Sequence, residues 1–261
     1  MNDPQVVALI YTVEHGNSVS YKDAKPLRNF QTPEFDLTVE DKIARFAFRK
    51  FYATKDEALQ AVEPFIRQWE FETGIRWGPN SFSLSFKDAE IIDRNPSPPE
   101  PGTIQPGGSI VVSGATIRAS GGVTLGMPHY PPPLVGGAVD LEDLDVVKMT
   151  HQYHQYRLGR AKLPATAYFC VTVLEKKYEG LPEAAKQCGV SRKVLETIKK
   201  LSSTKGGEDA RKAEGADVEF TGQEKRFLKE AVEEIIIRAA QVAADDSQRL
   251  PQITMAKLPK L

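Results

Sequence analysis

Several residue sets in this chain have types and spacings that invite a chemical reading. His151 and His154 stand three apart in "HQYHQYR", and on a helix both would reach one side, as two metal ligands do. A third ligand is missing: Asp145 lies six residues before His151. With Tyr153 and Tyr156 alongside, the segment reads as an aromatic and polar surface, an interhelical contact, or a strip on which bases could stack. Cys170 and Cys188 sit among apolar neighbours with no local histidine to activate them, which fits small core residues. Glu70 and Glu72 are two apart on a predicted helix and diverge. The glycine pairs at 107–108, 121–122 and 136–137 lie among prolines and open no strand-to-helix phosphate loop. No catalytic set, metal set or cofactor motif emerges, and the expectation leans away from an enzyme.

The cations of "EAAKQCGVSRKVLETIKKL" (183–201) are the most informative pattern. The stretch predicts a short helix, a tight turn at Gly189 and a second helix. Ala185 is small enough for two helices to approach, and glycine permits a left-handed turn conformation. Ser191 suits the N-cap of the second helix. Val190, Val194, Leu195 and Ile198 form an inward face, leaving Arg192, Lys193, Glu196, Thr197 and Lys200 outside. From Lys186 to Lys212 eight Lys/Arg stand against three acids. These residues resemble the helix-turn-helix motif of bacterial DNA-binding proteins, over residues 183–201 only. The resemblance implies that the second helix enters a major groove, with "LPATAYFCVTVLEKKY" as the supporting first helix. Arg192, Lys193, Glu196, Lys199 and Lys200 would then touch bases or phosphates, and Lys205, Arg211 and Lys212 of the following polar loop would lie along the backbone of DNA or RNA. The same spacing also occurs in plain corners of helical bundles.

The helical half, with its polar basic loop and long last helix, is also similar to HEPN-type bundles of bacterial conflict systems. Members with nuclease activity carry an Arg followed several residues later by His. None of His15, His129, His151 and His154 has an Arg at that spacing before it. This resemblance therefore implies a catalytically inactive bundle that docks on a protein partner or on a second copy.

These residues need elements to hold them. "VVALIYTVEHG" (6–16) reads as a strand, and "FDLTVEDKIARFAFRKFYAT" (35–54) as a hairpin turning at Glu40-Asp41. Thr54 and Glu57 have capping-box spacing before a helix whose apolar face is Ala58, Ala61, Val62, Phe65 and Trp69. Pro64 should kink or split that helix, and Gly74 should stop it. "SFSLSFKDAEIIDR" (81–94) alternates as another strand. Residues 1–94 thus predict a small α+β domain, an antiparallel sheet with one helix.

Residues 95–139 hold nine Pro and nine Gly and read as a linker, with a hairpin over 109–125 and a triple proline at 131–133 that serves as spacer or groove ligand. From 140 to 261 the period is helical. A helix follows the acids of "DLEDLD", another starts at Pro164 and stops at Gly180, and a capping box at Thr221 and Glu224 opens a long apolar-striped one. The expectation is an all-α bundle with a frayed tail after Asp245.

The bulk properties bound the function. A formal net charge of -1 over 261 residues rules out a general polyelectrolyte binder. The charge is divided: residues 1–150 carry -6 and residues 151–261 carry +5, which suggests different partners for the two halves. With two cysteines, no basic leader and no long apolar segment, the expectation is a cytoplasmic, bacterial protein without a membrane span. The leading functional expectation is a regulator whose helical half contacts nucleic acid and whose acidic half binds a protein or effector. The alternative is an adaptor or toxin–antitoxin or defence component.

Overall fold

The computed structural model describes residues 3–17, 19–95, 125–133, 138–206, 218–245 and 250–261. The expected hairpin at 109–125 falls almost wholly outside them. The described chain is an antiparallel sheet with one helix, followed by a helical region, as the patterning predicts.

The chain divides into two compact units. One comprises residues 1–63 and 80–132, the other residues 64–79 and 133–261. The first is built on a five-stranded sheet of β1 (Pro4–Glu14), β3 (Leu27–Gln31), β4 (Phe35–Glu40), β5 (Ile43–Phe48) and β6 (Ser83–Asp93), in the order β3-β4-β5-β1-β6. β1 lies inside the sheet, and its Val6, Ala8, Leu9, Tyr11 and Val13 are all buried, with a register shift against β6 between Val6 and Ala8. It pairs antiparallel with β5 (Leu9 opposite Phe46) and with β6 (Leu9 opposite Ala89).

The β4–β5 turn lies one residue later than expected. Asp41 and Lys42 both have positive φ (49° and 62°), the pair of left-handed residues that a two-residue hairpin loop demands. The sequence offers no Asn-Gly signal there. A two-residue parallel pair, β2 (Val19–Ser20) with β7 (Leu125–Gly126), has no counterpart in the sequence reading. β3 was also silent, since its Asn29 is left-handed (φ 66°) and breaks the alternation.

Helix α1 runs without interruption from Lys55 to Trp77, through Pro64. The proline removes one amide donor, yet does not split the helix, and it marks the residue where membership passes from one compact unit to the other. Gly74 does not stop it either. The helix ends at Gly78, whose φ of 112° suits glycine alone. The capping box at its start is formed, with the Glu57 amide donating to Thr54 Oγ1 and the Thr54 amide to Glu57 Oε2, both at 3.3 Å.

In the second unit α2 (Leu144–Arg157), α3 (Leu163–Lys177), α4 (Leu181–Gln187), α5 (Arg192–Thr204) and α6 (Gly222–Ala244) enclose a core with Ile75 of α1. Its centre is Met149, Cys170, Leu174, Leu195, Ile198, Phe227 and Ile235, all fully buried. Both cysteines are free and buried; burial pushes the Cys170 thiol up to about 12 and that of Cys188 up to about 11. Asp143 caps α2 by accepting from the Asp145 and Val146 amides at 3.0 Å. Thr221 and Glu224 form a complete capping box on α6. The tail departs from the frayed end expected: Ile253 and Leu258 are buried in the core around a short 3-10 turn, Met255–Lys257.

Candidate nucleic-acid-binding corner

The α4–α5 corner is built from the turn outward. Cys188 and Val190 return their amides to Ala184 and Ala185 carbonyls at 3.0 and 2.9 Å, closing α4. Gly189 then adopts φ 60°, the left-handed conformation that lets the chain reverse within four residues. A Cβ at Gly189 would stand 3.1 Å from both the Cβ and the carbonyl oxygen of Leu250. Val190 is buried and forms a parallel bridge with Ile253. In that bridge the Ile253 amide donates to the Gly189 carbonyl and the Ser191 amide to the Ile253 carbonyl, each at 2.8 Å. Ser191 occupies the N-cap position of α5, but its hydroxyl makes no capping hydrogen bond.

Helix α5 is sharply two-faced. Val194, Leu195, Ile198, Leu201 and Ser202 are buried. Arg192, Lys193, Glu196 and Lys200 are exposed on the opposite face, with Thr197 half-buried beside them. Arg192 Nε donates to Glu196 Oε1 at 2.6 Å, a solvated (i, i+4) pair of the kind that contributes little and opens readily. Lys193 and Lys200 make no ion pair among the described residues. Two other expected contact residues are engaged within the bundle. Lys199 Nζ bonds Glu175 Oε2 at 2.7 Å and lies over the Tyr168 ring, and Lys205 Nζ bonds Glu224 Oε1 at 2.8 Å. Arg211 and Lys212 lie outside the described residues. The structure therefore gathers Arg192, Lys193, Glu196 and Lys200 on one surface and draws Lys199 and Lys205 into ion pairs.

Of the histidine and tyrosine strip of α2, Tyr153 points into the core, His154 and Tyr156 are half-buried and His151 is exposed. Tyr153 is fully buried and donates its hydroxyl to Glu233 Oε1 at 2.6 Å. The Glu233 side chain is only 4% exposed, with Arg157 Nη1 at 3.5 Å and Lys229 Nζ at 3.4 Å. Arg157 also donates to the Arg76 carbonyl at 2.9 Å, and Arg76 pairs with Glu234 at 2.7 Å. Burial holds the His154 imidazole below its ordinary pKa, helped by Arg157, and raises the Glu72 carboxyl. No group of three potential metal ligands occurs among the described residues.

The sequence reading passed over Glu233. Its signal was there, a carboxylate flanked by Val232, Ile235 and Ile236 on the apolar arc of α6. Such a placement requires a buried partner.

No helix among the described residues is long and apolar enough to cross a membrane. Comparisons with protein-family models, with curated proteins and with solved structures found no match for this chain.

Proposed function

We propose that this protein is a non-enzymatic regulator that contacts nucleic acid through α5. One observation carries the reading: a helix whose inner face is fully buried presents Arg192, Lys193, Glu196, Thr197 and Lys200 outward, directly after a tight left-handed turn, with Lys193 and Lys200 unengaged by any acid among the described residues. Cations free of internal partners can neutralise phosphates without first breaking a pair. Arg192 and Glu196 are placed in the first turns of α5, from which base edges are read in a helix-turn-helix. The N-terminal unit binds a protein or effector. It offers exposed apolar side chains at Phe51, Ile91 and Ile92 for that purpose.

The test is fluorescence anisotropy of a labelled DNA duplex, and of the matching RNA, across a salt series. Each Lys–phosphate contact adds about 0.9 to the slope of log K against log salt. Lys193→Gln/Lys200→Gln should flatten the slope by about 2. Lys199→Gln should leave it unchanged. A duplex that binds with the same slope in the double variant would remove α5 from the interface, and absence of binding at low salt would end the proposal.

A second reading has its own observation. Leu144 and Val147 on α2 and Leu158 just past its end are exposed, and Leu144 is 73% accessible. An adaptor or defence component would use that apolar surface to dock on a partner or a second copy. Its association would be insensitive to salt, and sedimentation across the same salt series separates the two.

A further inference from the structure

The second unit contains a cleft that the α5 reading leaves unused. It encloses about 450 Å³ between the end of α1, one face of α6 and the tail. That volume falls in the range of small-molecule sites. Its floor is already satisfied: Glu233 is held by Tyr153, Arg157 and Lys229, and Glu234 by Arg76. What remains on the walls is a small set of groups without ion-pair partners among the described residues. Arg238 donates one Nη2 hydrogen bond to the Pro251 carbonyl at 3.1 Å and makes no ion pair. The exposed Lys257 and the half-buried Glu230 make none either. The half-buried Trp77 lines the same space.

We infer that this cleft binds a phosphate-bearing small molecule of mononucleotide size. Arg238 and Lys257, neither in an ion pair among the described residues, supply a forked donor and a point charge that together suit a phosphate dianion. Trp77 offers an indole face to a planar base. Glu230 offers one acceptor to a sugar hydroxyl or an exocyclic amine. Burial disfavours the Arg238 charge and the nearby Glu234 offsets this only in part, so a bound anion would favour it further. The inference stands apart from the α5 proposal, because none of these residues belongs to that helix.

The experiment titrates the full-length protein with AMP, GMP, CMP and UMP, with inorganic phosphate, and with adenosine. Tryptophan emission and melting temperature are followed together. Trp69 is 2% exposed, so quenching reports Trp77. The expected result is saturable quenching and a raised melting temperature with at least one mononucleotide, and neither with adenosine. Lys257→Gln, at an exposed position, should weaken that binding about tenfold, as should Arg238→Gln. Trp77→Phe should abolish the quenching. Lys193→Gln/Lys200→Gln should leave mononucleotide binding unchanged, so that failure here and failure of the α5 proposal are told apart. No saturable response to any mononucleotide at millimolar concentration would overturn the inference. So would a response undiminished in both Lys257→Gln and Arg238→Gln.

Discussion

Replacing glycine by alanine should have opposite signs at two positions of the helical unit. Gly189 sits at φ 60°, where a Cβ crowds the following carbonyl at a cost of roughly 1–2 kcal/mol. The new methyl would also stand 3.1 Å from Leu250 Cβ and from the Leu250 carbonyl oxygen, so the tail must shift by a few tenths of an ångström. Overpacking of this kind adds about 1–3 kcal/mol. Reduced freedom of the unfolded chain returns about 0.4–1 kcal/mol. Gly189→Ala should therefore destabilise by about 1–5 kcal/mol. Gly74 lies inside α1 with no positive φ and nothing within 4 Å of its Cβ position. Gly74→Ala should stabilise by about 0.5–1 kcal/mol. Urea unfolding followed by far-UV circular dichroism measures both. At a slope of about 2 kcal/mol per molar, Gly189→Ala should lower the midpoint by about 0.5–2.5 M, while Gly74→Ala raises it. A Gly189→Ala protein as stable as wild type would refute the claim that the turn depends on a left-handed residue pressed against the tail.

Three other outcomes follow from the geometry. Tyr153→Phe removes the hydroxyl donor from a carboxylate that keeps Arg157 and Lys229 nearby, and should cost about 1.5–3 kcal/mol in the same unfolding assay. Thr221→Ala breaks the α6 capping box and should cost about 1 kcal/mol, with thermal unfolding as the readout. Alkali should destabilise the protein in a defined order. Burial raises the folded pKa values of Cys170 and Cys188 and of the Tyr21, Tyr153 and Tyr178 hydroxyls, so the stability they lend is complete below the unfolded values. It declines as the unfolded thiols ionise near pH ~8.5 and then the phenols near pH ~10. A melting temperature flat from neutrality to pH ~11 would contradict this.

The elements legible in the sequence are those with a local cause. The capping boxes at Thr54 and Thr221, the alternation of 35–48 and the two-faced pattern of 192–202 each fix a segment from its own residues. What escaped was set at long range. Pro64 stays within α1 although the local rule would break the helix there. The buried place of Tyr153 depends on Glu233, eighty positions away. Ile253 and Leu258 look like part of a polar tail until the core they enter is known. At the proposed nucleic-acid surface, periodicity separates the inner face of α5 from the outer one. It does not reveal which cations are drawn into ion pairs, because Glu175 and Glu224 come from other parts of the chain.

The Val190–Ile253 bridge carries a consequence for timing. Helices α4 and α5, and the α3 on which α5 packs, leave the ribosome well before the tail does. The turn between them is pinned only when the chain has advanced roughly sixty residues further, which takes about 3–12 s at ordinary translation rates. During that interval Val190 lacks its bridge, and the Ser191 amide lacks its acceptor. A nascent chain stalled before residue 250 should thus display α5 with its turn unanchored, open to proteases or chaperones that the finished protein resists.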